Sequence, residues 1–148
     1  MSFLTLAARA ASRALLASIA CSAFVFTARP LAAQVATLDS LAVARGAVLL
    51  AQAADDSVKL ADAVHRLGVM HWRADAYDSA LVHLIRAREL RASIGDSLGL
   101  ARAMNSIGSA HYQEGNYGPA LEAFLQSLAV RRAINDRRGI AISLTNIG

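Results

Sequence analysis

The side chains best suited to chemistry are four histidines: His65, His71, His83 and His111. His71 and Asp75 stand four apart, which on a helix places an imidazole and a carboxylate on one face, within reach of a single metal ion. Two candidate ligands outside any ligand motif fall short of a metal site. Gly-x-Gly-x-x-Gly, P-loop, His-Glu-x-x-His and Gly-x-Ser-x-Gly patterns are all missing. Serines and aspartates are plentiful, yet nothing positions a histidine between them as a base. The expectation is a chain without catalysis, cofactor or metal. A small metal- or ligand-binding helical module is the alternative.

Trp72-Arg73 and Tyr112-Gln113 suggest recognition instead, since aromatics and arginine are favoured where partners bind. Helical spacing gathers Asp62, His65, Val69, Trp72 and Arg73 on one face of a first stretch. Arg102, Asn105, Ser109, Tyr112 and Gln113 share the matching face of a second. The opposite faces carry Val64, Leu67, Gly68 and His71, then Met104, Ile107, Gly108 and His111, as a core would. The plainer alternative is a solvated helix face whose aromatics pack on the next unit.

These stretches belong to a repeat. Against a copy of itself shifted by 40, the sequence aligns Ala61 with Ala101, Gly68 with Gly108, His71 with His111 and Tyr77 with Tyr117. Ala80-Leu81, Arg91, Ile94, Asp96 and Gly99 meet Ala120-Leu121, Arg131, Ile134, Asp136 and Gly139. The register continues into Ala141, Ile147 and Gly148. Asp56, Asp96 and Asp136 sit where helix N-caps belong, and Gly95 and Asn135 suit the left-handed residue that ends the preceding helix. Asp75-Ala76 and Gly115-Asn116 mark turns inside the units, and Pro119 falls in a first helical turn, where its missing N–H costs little. The spacing predicts helices over 38–54, 57–73, 77–94, 97–114, 117–134 and 137–148.

Residues 1–33 contain no acidic side chain. Arg9 and Arg13 precede an uncharged run from Ala14 to Ala28, and Leu31-Ala32-Ala33 offers small residues for cleavage. This is the layout of a secretory signal, too short to span a membrane. The expectation is a signal peptide over 1–33, cleaved after Ala33, and a periplasmic or secreted protein with no stable membrane span thereafter. Without the leader the charge falls from +4 to 12 basic against 11 acidic residues, and Cys21 is lost. Nucleic-acid binding, disulfides and cysteine ligands lose their support. Arg86, Arg88, Arg91, Arg131 and Arg132 then read as a flank for solvation and ion pairing rather than for phosphate. Only 5% of the chain is aromatic and much of its apolar share is Ala, which favours helices packed closely through small residues.

Leu67-Gly68-x-x-His71 with Tyr77-x-x-Ala80-Leu81, and Ile107-Gly108-x-x-His111 with Gly115-x-Tyr117-x-x-Ala120-Leu121-x-x-Phe124, resemble the tetratricopeptide repeat. The step of 40 is similar to its longer-helix variety, in kinesin light chains and bacterial signalling proteins, where Gly-Asp-x-x-Gly-x-Ala joins successive units. Gly95-Asp96-x-x-Gly99-x-Ala101 matches that joint, and Asn135 replaces its first Gly in the next copy. His71 and His111 stand where the family has Tyr, Asp75 where it has a turn Gly, and Ser127 where it has a small Ala.

The resemblance implies an all-α, right-handed solenoid of antiparallel helix pairs. An N-terminal helix over 34–55 would precede repeats at 56–95 and 96–135, with a first helix only at 136–148. It also implies that the face defined above lines a concave groove for a protein or peptide. Asn146 matches the Asn that such grooves use to hold a peptide backbone, since an amide both donates and accepts. The expected function is a non-catalytic scaffold. The alternative is the sensory N-terminal segment of a larger signalling protein, such as a histidine kinase or nucleotide cyclase.

Overall fold

Asp56, Asp96 and Asp136 carry side chains short enough to fold back onto the amides that follow them, and each opens a helix. Their carboxylates accept from the backbone N–H of Lys59 (2.9 Å), Gly99 (2.8 Å) and Gly139 (2.9 Å). The computed structural model describes residues 31–148, which form α1 (Leu31–Ala53), α2 (Ser57–Arg73), α3 (Tyr77–Ser93), α4 (Ser97–Glu114), α5 (Tyr117–Ala133) and α6 (Arg137–Ile147). Most of the leader expected over 1–33 lies outside the described residues. Helices α2 to α6 keep the expected boundaries to within a residue. α1 starts at Leu31 rather than 38, because the Ala-rich stretch after Pro30 holds no breaker before Gly46.

Each link between helices contains one left-handed residue: Asp55, Asp75, Gly95, Gly115 and Asn135, with φ between 52° and 86°. The next amide returns to the carbonyl five residues earlier, as from Ala76 to His71 (3.0 Å) and from Asn116 to His111 (2.9 Å). This is the Schellman closure that satisfies the last carbonyls of a helix. Glycine and asparagine were foreseeable there; Asp55 and Asp75 adopt the same conformation, which short polar side chains tolerate.

The helices alternate in two roles. α2 packs on α3 and α4 on α5, and α4 and α6 in turn lie against the second helix of the preceding pair. At the α2/α3 crossing a Cβ on Gly68 would stand 2.8 Å from Leu84 Cγ; at α4/α5 one on Gly108 would stand 2.6 Å from Phe124 Cε1. Glycine is therefore what lets each pair close. Ala44, Val48, Ala63, Val64, Leu67 and Ala87 form one buried cluster, and Ala80, Leu84, Ile107, Ala110 and Ala123 another. Thr37–Gly148 forms one unit, all-α among the described residues, with the helix-pair stacking of an α-solenoid.

Two arginines of the expected flank are ion-paired, as expected, but buried rather than solvated. Arg91 and Arg131 are only 8% and 5% exposed, whereas Arg86 and Arg132 are exposed. Arg91 Nη1 donates to Asp96 at 2.5 Å, and Arg131 Nη1 lies 3.8 Å from Asp136. A long cation on a second helix thus reaches the carboxylate that caps the next unit's first helix. A Cβ on Gly99 would lie 2.6 Å from Arg91 Cδ, and one on Gly139 would collide with Arg131 and Asp136. The glycine of the joint motif makes room for this ion pair.

Candidate functional site

The first helices, α2, α4 and α6, stand side by side and are tied by polar rungs. His65 Nε2 lies 3.1 Å from Ser106 Oγ, and Asn146 Nδ2 donates to Asn105 Oδ1 at 2.9 Å. Both rungs join residues 41 apart, one position beyond the repeat step, so they are the same contact made twice. Of the expected face residues, Trp72, Ser109, Tyr112, Gln113 and Asn146 line one recess of about 520 Å³, with Phe124 and Thr145. His65, Arg102 and Asn105 line a second of about 550 Å³, with Ser106, Arg138 and Ile142. Val69, Trp72, Ser106 and Ser109 line a smaller hollow of about 100 Å³. The Asn105–Asn146 rung takes a residue from each of the two larger recesses.

Two expected members stand apart. Asp62 is engaged by Arg91 Nη2 and lines a separate recess beside α1, with Ala47, Leu50, Lys59 and Arg66. Arg73, exposed at the end of α2, lines none of these recesses. Trp72 has a double role. It packs against the Ala80–Leu84–Ile107 cluster, with Nε1 buried and without a hydrogen-bond partner, and it walls the recess with its remaining surface. Tyr112, its repeat counterpart, is 55% exposed and meets Tyr117 edge to face at 5.4 Å.

Ser106, Thr145, Arg138 and Ile142 belong to the face and were missed. Extending the 40-residue register from Arg102 and Asn105 into α6 would have found Ile142 and Thr145, and a search for polar pairs 41 apart would have found Ser106; Arg138 stands forty residues after Leu98, so the register gave no signal for it.

Two of the histidines meet each other. His71 stacks on His83 at 5.2 Å, and Asp75 accepts from Tyr77 Oη at 3.0 Å. Burial holds both imidazoles below their ordinary range, aided by Arg45. Burial lowers His65 likewise, with Arg91 adding to it. The Gly99 amide and then Arg91 lower Asp96. Among the described residues no three His, Cys, Asp or Glu side chains form a group that could hold a metal ion, and no helix is long and apolar enough to cross a membrane.

Stacked helix pairs of constant step, capped and crossed in the same way, find their counterpart among known families: the tetratricopeptide repeat matches residues 59–133. The chain belongs to the tetratricopeptide-repeat family. No curated protein matches the chain. The matched span covers α3, α4, α5 and all but the first two residues of α2, and thus both glycine crossings. Tetratricopeptide repeats generally mediate protein–protein interaction and are typically non-catalytic, so protein is the class of partner that the family indicates. The family's tyrosine position is filled by His71 and His111, and its small-residue position by Ser127. Ser127 is fully buried and donates to Ala101 O at 2.8 Å, so the extra oxygen is satisfied within the stack.

Proposed function

We propose that this tetratricopeptide stack holds a protein segment, as an extended or helical peptide, along the face of α2, α4 and α6. One observation carries the reading: the two larger recesses open on a single face, on either side of a shared Asn105–Asn146 rung. The recess at Trp72 and Tyr112 offers aromatic walls for an apolar side chain. The rung amides keep an unused donor on Asn105 and acceptor capacity on Asn146, which suit a peptide backbone. Binding here requires neither cofactor nor bond chemistry.

Selection from a displayed library of random peptides tests this. The expected result is a set of binders whose affinity falls about tenfold or more in Tyr112→Ala and Asn146→Ala, each melting near the parent temperature. Val82→Ser, on the exposed side of α3, should bind as the parent does. Equal affinity in all three variants would overturn the proposal.

A further inference from the structure

By the 40-residue step α1 is a second helix: Leu41, Ala47 and Asp56 stand forty residues before Leu81, Ala87 and Asp96. α3 and α5 each pack on the first helix of their own pair, whereas among the described residues no first helix accompanies α1. The place for one is open. Two recesses, of about 460 and 320 Å³, run along the seam of α1 and α2 and share Ala47 and Arg66. Leu50 borders the first and Val43 the second, and they are 73% and 74% exposed.

Two features of α1 itself call for a cover. From Ser40 to Ala53 its only charge is Arg45, yet only Ala44, Val48 and Ala51 are buried. A helix apolar all round belongs in an interior. Gly46 is the second feature. Like Gly68 and Gly108 it stands in the middle of a helix, which glycine weakens. Those two admit a crossing helix, but a Cβ on Gly46 would meet nothing within 4 Å. Room for a close crossing exists there, and no described residue uses it.

The occupant has to be a helix that is small and apolar along one side, with an acid to meet the cations of the seam. Asp62 is already engaged by Arg91, which leaves Arg66 and Lys59 (also paired with Asp56) at the recess beside Leu50. α1 answers this description. We propose that α1 of a second copy of this chain fills the vacant first-helix place, giving a two-fold dimer. Laid antiparallel across Gly46, as the helices of each pair are laid, it spans both recesses. Its Asp39 then reaches the recess that Lys59 and Arg66 border, and the two-fold axis makes the same contact twice. The inference stands apart from the peptide-binding reading and does not rest on it.

Sedimentation equilibrium of the purified chain tests the dimer. A dissociation constant in about the micromolar range is expected. Gly46→Leu should raise it about tenfold or more, because the added side chain blocks the crossing. At dilutions where both proteins are monomeric, that variant should melt no lower than the parent, since the side chain has open space within one copy. Leu50→Asp should weaken the dimer as much, and Asp39→Lys about fivefold, through two ion pairs. A parent that is still monomeric at about 100 μM would overturn the proposal. So would a dimer that Gly46→Leu and Leu50→Asp leave equally tight, or one that Tyr112→Ala weakens in their stead.

Discussion

The two complete repeats share the residues that form their caps, crossings and joints and differ most along the row of first helices. Both have a capping aspartate, a glycine at the crossing and a buried arginine reaching the next cap. His65, Val69 and Trp72 become Asn105, Ser109 and Tyr112, and Asp62 becomes Arg102. A stack needs each unit to present the same joint to the next, so the joint cannot drift. The row of first helices is under no such constraint, and there each unit can contribute a different chemistry.

That comparison breaks most readily at the crossings. Gly108→Leu should lose about 1–3 kcal/mol or more, because the added side chain drives into the ring of Phe124. Gly68→Leu meets Leu84, whose branched end turns more easily, and should lose somewhat less. Thermal or urea unfolding measures both; a Gly108→Leu variant as stable as the parent would show that the pair does not close there.

The joints come next. Asp96→Ala removes a cap and one of the two carboxylates that engage the buried Arg91, and should cost about 1–2 kcal/mol by the same unfolding measurement. Asp56→Ala removes a cap whose other partner is the exposed Lys59, so its effect should be smaller. Equal losses would mean that the Arg91–Asp96 pair adds nothing to the cap.

A smaller effect separates the first pair from the second by pH. His71 and His83 have lowered native values against an ordinary 6.5, so the unfolded chain takes up protons first. Their contribution is complete above about pH 6.5 and is lost as pH falls through the lowered values. His71→Tyr should flatten the decline in melting temperature between pH 7 and 5, with His65 supplying part of what remains. An unchanged slope would mean that the stacked pair does not titrate with folding. Asp96 acts in a lower window: its stabilisation is present above its ordinary 3.8 and lost as pH falls through the lowered native value.

Caps, turns and crossings were legible in the sequence because they are local and recur at a fixed step. Asp96 announces a helix by position alone, and Gly108 a crossing once it pairs with Gly68. Contacts between units were harder. Arg91 reads as a solvated cation on its own helix, and only the next unit's Asp96 makes it an interior one. Asp62 shares a helical face with His65 and Trp72, yet Arg91 engages it beside another recess. Ser106 and Asn146 acquire their role from rungs one residue off the repeat step, a displacement set by how neighbouring helices are staggered.

Backbone amide chemical shifts of the labelled chain, recorded with and without a selected peptide, test the central claim most directly. The account predicts changes concentrated at Asn105, Ser109, Tyr112, Gln113 and Asn146, with the outer positions of α3 and α5 undisturbed. Changes centred on Val82 and Leu125, with the first helices silent, would contradict it.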